Sequence, residues 1–440
     1  MKITFIGAGS SIFVKNVIGD TMMCEALQDA EFALYDIDPV RLEESRIILE
    51  HLNRALAGGK ARITTHLGVE NRKEALRGAE FVINAIQVGG HKPCTVIDFE
   101  IPKKYGLRQT IADTLGIGGI FRALRTIPVM DGFARDMEEV CPEAWLLNYT
   151  NPMAMLTGYM QRYTGVKTVG LCHSVQVCAK HILTGVGMEE YLGNTVETIA
   201  GINHMAWLLD IRDKDGNDLY PEIRRRAKEK NASEKHTDMV RFDYIDKLGY
   251  YCTESSEHNA EYNPFYIKQG REDLIEKFNI PLDEYLRRCV RNENNWNDRR
   301  DTILRGEDLE HIRSREYASR IMEAMVTDVP YRFGGNVINN GIIPNLPAEA
   351  CVEVPCYADA AGIHPSYVGA LPLQLAAMNA SNIYPQLLTI EAAHTGKREY
   401  IYQAAMMDPL TGAQLSTDEI VSMCDELIKA HTEAGYPVFL

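Results

Sequence analysis

Four polar runs carry the side chains of this 440-residue sequence that could do chemistry. They are Gln109-Thr110-Ile111-Ala112-Asp113-Thr114, Asn148-Tyr149-Thr150-Asn151-Pro152, Cys172-His173-Ser174-Val175 and Gly201-Ile202-Asn203-His204. Cys172 can supply a thiolate and His204 an imidazole, a pair suited to a borderline divalent metal. Two protein ligands would leave coordination positions open, as a metal that works on a substrate requires. Residue types alone do not decide the matter. A cysteine and a histidine also serve in cores and on surfaces, and His173 reads equally well as a helix-capping or buried histidine.

A fifth run is of another kind. Phe5-Ile6-Gly7-Ala8-Gly9-Ser10-Ser11-Ile12 joins an apolar stretch to a helix-like one. Gly7 permits a tight turn, and Gly9 lets backbone approach a pyrophosphate at the helix N-terminus, where Ser10 and Ser11 lie. Ile12 stands where the usual dinucleotide pattern has its third glycine. Asp36 ends the next expected strand, where an acid bonds both ribose hydroxyls and repels a 2′-phosphate, so NAD is expected rather than NADP. The competing reading makes Asp36 and Asp38 caps of the helix that opens at Pro39; here Asp38 takes that role and Asp36 the cofactor. Asn84, within the third expected strand, and Asn148, at the end of the fourth, complete the cofactor-binding candidates.

The elements that must position these runs alternate. Short apolar segments at 2–6, 31–35, 81–86, 145–148 and 168–171 read as strands, with helix-like segments such as 13–23 and 39–56 between them. That alternation predicts an α/β fold, a Rossmann-like parallel sheet of the lactate/malate dehydrogenase kind, over residues 1–200. Residues 201–440 lack the repeat. They offer an expected strand at 202–211, a charged helical stretch at 224–301, β-rich patches at 336–345 and 351–355, and a helical tail at 371–430. An α+β domain for substrate, metal and subunit contacts is expected there. The substrate site belongs in the crevice at the carboxyl ends of the parallel strands.

Bulk properties exclude some classes. A net charge of −15 argues against a nucleic-acid or anionic-membrane partner. No run of about 18 apolar residues suggests a transmembrane helix. The N-terminus passes straight into a strand, so no secretory signal and a cytoplasmic location are expected. The ten cysteines are scattered without a CxxC pair, which fits reduced, mostly buried thiols.

Taken in order, these motifs resemble glycoside hydrolase family 4, the NAD- and metal-dependent glycosidases, over almost the whole chain. The shared features include the Gly7–Ser10 turn, residues 109–119, Asn148–Pro152, Cys172–Val175, Gly201–His204, Asn345-Leu346-Pro347 and Val352-Glu353-Val354-Pro355. Cys172-His173-Ser174-Val175 is similar to the α-galactosidase (melibiase) form of its motif. The α-glucosidase type tends to have an acid in third place, and phospho-glycosidases tend to replace the histidine. The run Ala430-His431-Thr432-Glu433 departs from the His-Gly-Asp-Trp usual in melibiase relatives.

The resemblance implies that Cys172 and His204 hold the metal, habitually Mn²⁺, that Asn151 binds a sugar hydroxyl, and that His173 is the general acid. It places Asp113 beside metal and sugar, and Arg315 near the sugar, although Arg315 reads as readily as a solvated helix charge. Tyr262 is the chosen base, with His258 and Glu261 of the same stretch easily confused with it. The implied reaction on terminal α-galactosides oxidises C3 of the sugar with NAD and removes the C2 proton. It then eliminates the glycosidic oxygen, adds water and returns the hydride, an exception to two-carboxylate hydrolysis. An α-glucosidase or α-galacturonidase of the same family is the near alternative, and a lactate/malate-type dehydrogenase the distant one. The resemblance also implies a homodimer or homotetramer.

Overall fold

The computed structural model describes residues 1–307 and 309–438. Twelve strands form one sheet: β1 (Lys2–Ile6), β2 (Glu31–Asp36), β3 (Arg62–Leu67), β4 (Phe81–Asn84), β5 (Trp145–Asn148), β6 (Lys167–Gly170), β7 (Thr195–Ile202), β8 (Met205–Asp213), β9 (Tyr251–Cys252), β10 (Tyr331–Ile338), β11 (Cys351–Asp359) and β12 (Gly362–Pro365). The first six run parallel in the order 3-2-1-4-5-6, the doubly wound dinucleotide arrangement. Beyond β6 the sheet continues antiparallel through β10, β11, β7, β8 and β9, with β12 beside β11. The expected division near residue 200 therefore has no counterpart as a break in the sheet.

Central strands of a parallel sheet are covered on both faces, and these read accordingly. Ile3, Phe5, Phe32, Ile83, Leu147 and Val169 are fully buried. Each such side chain contributes about 1.5–3 kcal/mol by leaving water. The helix Gly116–Val140, whose Ile120, Phe121, Leu124 and Ile127 are buried, packs on this core. Among the described residues no helix is long and apolar enough to cross a membrane.

One row of paired residues crosses the sheet at the carboxyl ends of the parallel strands. It runs Tyr35, Ile6, Asn84, Asn148, Gly170, Asn336, Glu353, Gly201, Ala206. The loops that start one or two positions past this row carry every polar run singled out in the sequence except 109–114. The expected strand at 202–211 is two strands: β7 ends at Ile202 and β8 begins at Met205. The turn between them holds Asn203 and His204, and His204 takes the left-handed backbone, φ 65°. A turn at the middle of an apolar run brings a histidine onto the row's edge.

Candidate active site

The dinucleotide turn has the form its glycines predict. Gly7 has φ 83°, and a Cβ there would lie 2.7 Å from the carbonyl oxygen of Ala85. The N–H groups of Gly7 and Ala8 both donate to the Tyr35 carbonyl at 3.0 Å. Gly9 N–H donates to Asp36 Oδ2 at 2.6 Å, while Asp36 Oδ1 accepts from Ile37 and Asp38 N–H. Asp36 is thus locked at the mouth of the turn, half exposed. Asp38 caps the helix Pro39–Leu56 through the N–H groups of Val40 and Arg41. Ser10 Oγ donates back to the Gly7 carbonyl at 2.9 Å, and Ser11 opens the helix Ser11–Met22.

Asn84 and Asn148 end β4 and β5 with buried side chains. They are 2% and 0% exposed, and Asn84 Nδ2 donates to Asn148 Oδ1 at 2.9 Å. Asn148 also donates to Thr157 Oγ1 and accepts from Thr150 N–H. Its amide is used within the fold, bracing the 149–152 loop. Asn84 keeps a buried Oδ1 with no partner among the described residues.

The metal-ligating candidates converge. Cys172, His204 and Glu254 each present a ligand atom, all within 4.8 Å of one another, and Asp113, His204 and His258 do the same. Cys172 is the residue before the helix His173–Gly185, and its Sγ lies 3.2 Å from Ser174 Oγ. Its backbone is clamped by Tyr317, whose hydroxyl accepts from Cys172 N–H at 2.7 Å and donates to its carbonyl at 3.1 Å. His204 is fixed from behind, with Nδ1 3.3 Å from the Tyr262 hydroxyl, leaving Nε2 toward Glu254 Oε2 at 3.6 Å. Burial opposes charging His204, but Cys172 and Glu254, with Asp113, outweigh it and hold the imidazole up to about 10. Burial likewise disfavours the Glu254 carboxylate, yet His258 and His204 hold it down at about 2. The carboxylates here favour a positive charge at this point of the crevice.

Tyr262, the residue chosen from the sequence as base, stands at His204. It is fully buried, and burial pushes its hydroxyl well above the ordinary 10. Its contact with His204 Nδ1 makes it a partner that orients the histidine. Glu261, its neighbour, also faces inward, accepting from the N–H groups of Thr110 (2.7 Å), Ile111 (3.2 Å) and Ala112 (2.8 Å). That carboxylate shapes the loop carrying Asp113, which is 8% exposed and accepts from Thr114 Oγ1. His258 meets Ser255 Oγ at 2.7 Å and stands at His204.

On the other side of Cys172, His173 Nε2 is 2.7 Å from Glu316 Oε1, with 44% of the His173 side chain exposed. Desolvation lowers its pKa, but the hydrogen bond and charge of Glu316 prevail and raise it above 6.5. Asn151 has a buried Oδ1 without a partner, and its carbonyl accepts from Arg122 Nε at 3.2 Å. Arg315 is exposed and its charge acts on His173, while the neighbouring Glu316 is buried against it. Glu254, Glu316 and Arg122 were missed in the sequence because none sits in a glycine- or histidine-bearing motif.

A doubly wound nucleotide fold whose crevice gathers a thiol, an imidazole and a carboxylate defines a dinucleotide-binding protein with a built-in metal-ligating cluster. Its sequence matches the family 4 glycosyl hydrolase model over residues 2–188 and the C-terminal domain of that family over residues 199–411. The chain belongs to family 4 of the glycosyl hydrolases. It is 62% identical to an alpha-galactosidase of Bacillus subtilis over 430 residues, 98% of each chain. It is 36% identical to an alpha-galactosidase of Rhizobium meliloti, covering 98% of this chain and 88% of that one. A 6-phospho-alpha-glucosidase from gut microorganisms, solved with NAD and Mn²⁺, shares the fold at a TM-score of 0.80 and 19% identity, covering 98% of both chains.

Proposed function

We propose that this protein is an α-galactosidase that cleaves terminal α-galactosides with NAD and a divalent metal, Mn²⁺ by the precedent of its relatives. The observation carrying this reading is the assembly of Cys172, His173, Ser174 and His204 at one edge of the crevice, in a chain 62% identical to a protein named alpha-galactosidase. The residues present fit both groups. Asp36 and the Gly7–Gly9 turn suit NAD, and the thiol–imidazole–carboxylate cluster suits a borderline metal. When bound, NAD supplies a hydride acceptor and donor, and the metal a Lewis acid for neighbouring sugar oxygens.

The chain's own groups do the rest. Asn151 offers its partnerless Oδ1 to a sugar hydroxyl. His173, whose protonated form Glu316 favours from Nε2, would give the proton of its other ring nitrogen, Nδ1, to the departing glycosidic oxygen. The acceptor of the C2 proton is one of Tyr262, Asp113 and His258, which stand together around His204. Assays with p-nitrophenyl glycosides test the reading. Turnover of the α-galactoside that needs NAD and Mn²⁺, stops with chelator and yields no net NADH is expected. Faster turnover of the α-glucoside would overturn the sugar assignment, and net NADH from a hydroxy acid the whole reading.

We also propose a cytoplasmic homodimer or homotetramer. All ten cysteines are free, which suits a reducing compartment. Tyr367 and Leu373 are 72% and 83% exposed, in an apolar stretch that the sequence leaves open as core or subunit contact. Light scattering that returned a monomer mass would remove the oligomer.

A further inference from the structure

We propose that Glu254 is a third protein ligand of the divalent metal, beside Cys172 and His204. The proposal rests on reading this crevice as a metal site, as above. Glu254 stands directly after Thr253, whose N–H donates to the Ala206 carbonyl at 2.7 Å and whose Oγ1 accepts from Ala206 N–H at 3.1 Å. Ala206 is two residues past His204. One pair of cross-strand bonds therefore fixes both candidate ligands relative to each other.

The spacing of the carboxylate is that of a co-ligand rather than a hydrogen-bond partner. Glu254 Oε2 is 3.6 Å from His204 Nε2, and Cys172 Sγ completes a set whose ligand atoms lie within 4.8 Å of one another. Hydrogen bonds of this kind close to about 2.7–3.2 Å. Two ligand atoms each about 2.1 Å from one ion stand about 3.0 Å apart at a right angle and about 3.4 Å apart at a tetrahedral angle. His204 Nδ1 is taken by Tyr262, so Nε2, the atom facing Glu254, is the ligand nitrogen. Glu254 has φ 64°, a left-handed conformation that glutamate rarely adopts and that functional sites retain. Its carboxylate accepts one hydrogen bond, from Ser255 N–H at 3.2 Å, which leaves lone pairs for a cation.

Three protein ligands, one of them a thiolate and one a carboxylate, would hold the ion and still leave it open to substrate oxygens. They also make the ion resident before sugar arrives, whereas a Cys–His pair alone would lean on the sugar. The competing arrangement uses Asp113 and His258 with His204.

The experiment titrates Mn²⁺ into the metal-stripped full-length enzyme, without sugar or NAD, and follows free Mn²⁺ by electron paramagnetic resonance. Glu254→Gln is expected to weaken binding at least about tenfold, with Cys172→Ser doing likewise. Glu254→Asp, which keeps the charge on a shorter stem, falls between and serves if the amide variant does not fold. In Co²⁺-loaded Glu254→Gln enzyme the thiolate-to-metal absorption persists, placing the loss at the carboxylate. Unchanged Mn²⁺ affinity in Glu254→Gln with weak binding in Cys172→Ser overturns Glu254 as ligand and keeps the metal site. Weakening by His258→Gln but not Glu254→Gln overturns it in favour of the Asp113–His258 side. Full affinity in both Cys172→Ser and His204→Asn removes the metal reading itself.

Discussion

His173 shows how far a single residue's chemistry depends on a neighbour that no motif announces. As the first residue of its helix it sits at the positive end of the helix dipole, which disfavours an imidazolium. Glu316 at 2.7 Å reverses that, and Glu254 adds to it while Arg315 opposes. A general acid acts only when protonated, so activity is present below the His173 pKa and lost as pH rises through it. The raised pKa extends that range to higher pH than a free histidine near 6.5 would allow. Glu316→Gln keeps a hydrogen-bond acceptor but removes the charge. The alkaline limb of the kcat profile is then expected to move to lower pH, with kcat at acid pH little changed. A profile that kept its alkaline limb in place would assign the limb to another group. The motif Cys172-His173 marked the proposed acid, but its partner lies 143 positions on, brought near only by the fold.

At the scale of elements, what the sequence disclosed followed from burial. Strands β1, β2, β4, β5 and β6 are short and apolar and end in, or are followed at once by, a polar or glycine residue, so each stood out within two or three positions of its end. β3 did not, because Arg62-Ile-Thr-Thr-His-Leu is an edge strand with no fully buried residue and so no apolar run. The β7–β8 hairpin hid for the opposite reason: its turn is Asn203-His204, not glycine, and both flanks are apolar. The non-glycine left-handed backbone that makes the turn is the one that delivers His204 to the site. The 109–114 loop was marked as polar but not placed, since its shape comes from Glu261. There a carboxylate about 150 positions away binds three successive N–H groups, taking the place of secondary structure. Burial pushes that carboxyl up to about 7 even though the three N–H groups pull it down, so the loop that presents Asp113 rests on a costly buried group.

Across the whole molecule the question is what ties the helical tail, which carries no site residue, to the nucleotide half. The C-terminal run around His431 departs from the family pattern, yet the helix Thr417–Glu433 is docked, with His431 fully buried. His431 Nε2 lies 2.9 Å from Asp98 Oδ1, and its ring stacks on Phe121 at 5.9 Å. Asp98 also receives both Nη atoms of Arg125, at 3.1 and 2.7 Å, and the two side chains are 2% and 1% exposed. Three helices, Val96–Lys104, Gly116–Val140 and Thr417–Glu433, thus meet at one carboxylate. Removing one partner of a buried pair strands the other, so Asp98→Ala is expected to cost about 3–5 kcal/mol of unfolding free energy. Replacing Asp98 and Arg125 together by Leu and Met removes the stranded charge and recovers much of that loss. Urea unfolding followed by circular dichroism measures both. A cost near zero for the single variant would mean that the tail is held by its apolar face alone, through Ile420, Met423 and Leu427, and that the carboxylate is incidental to docking.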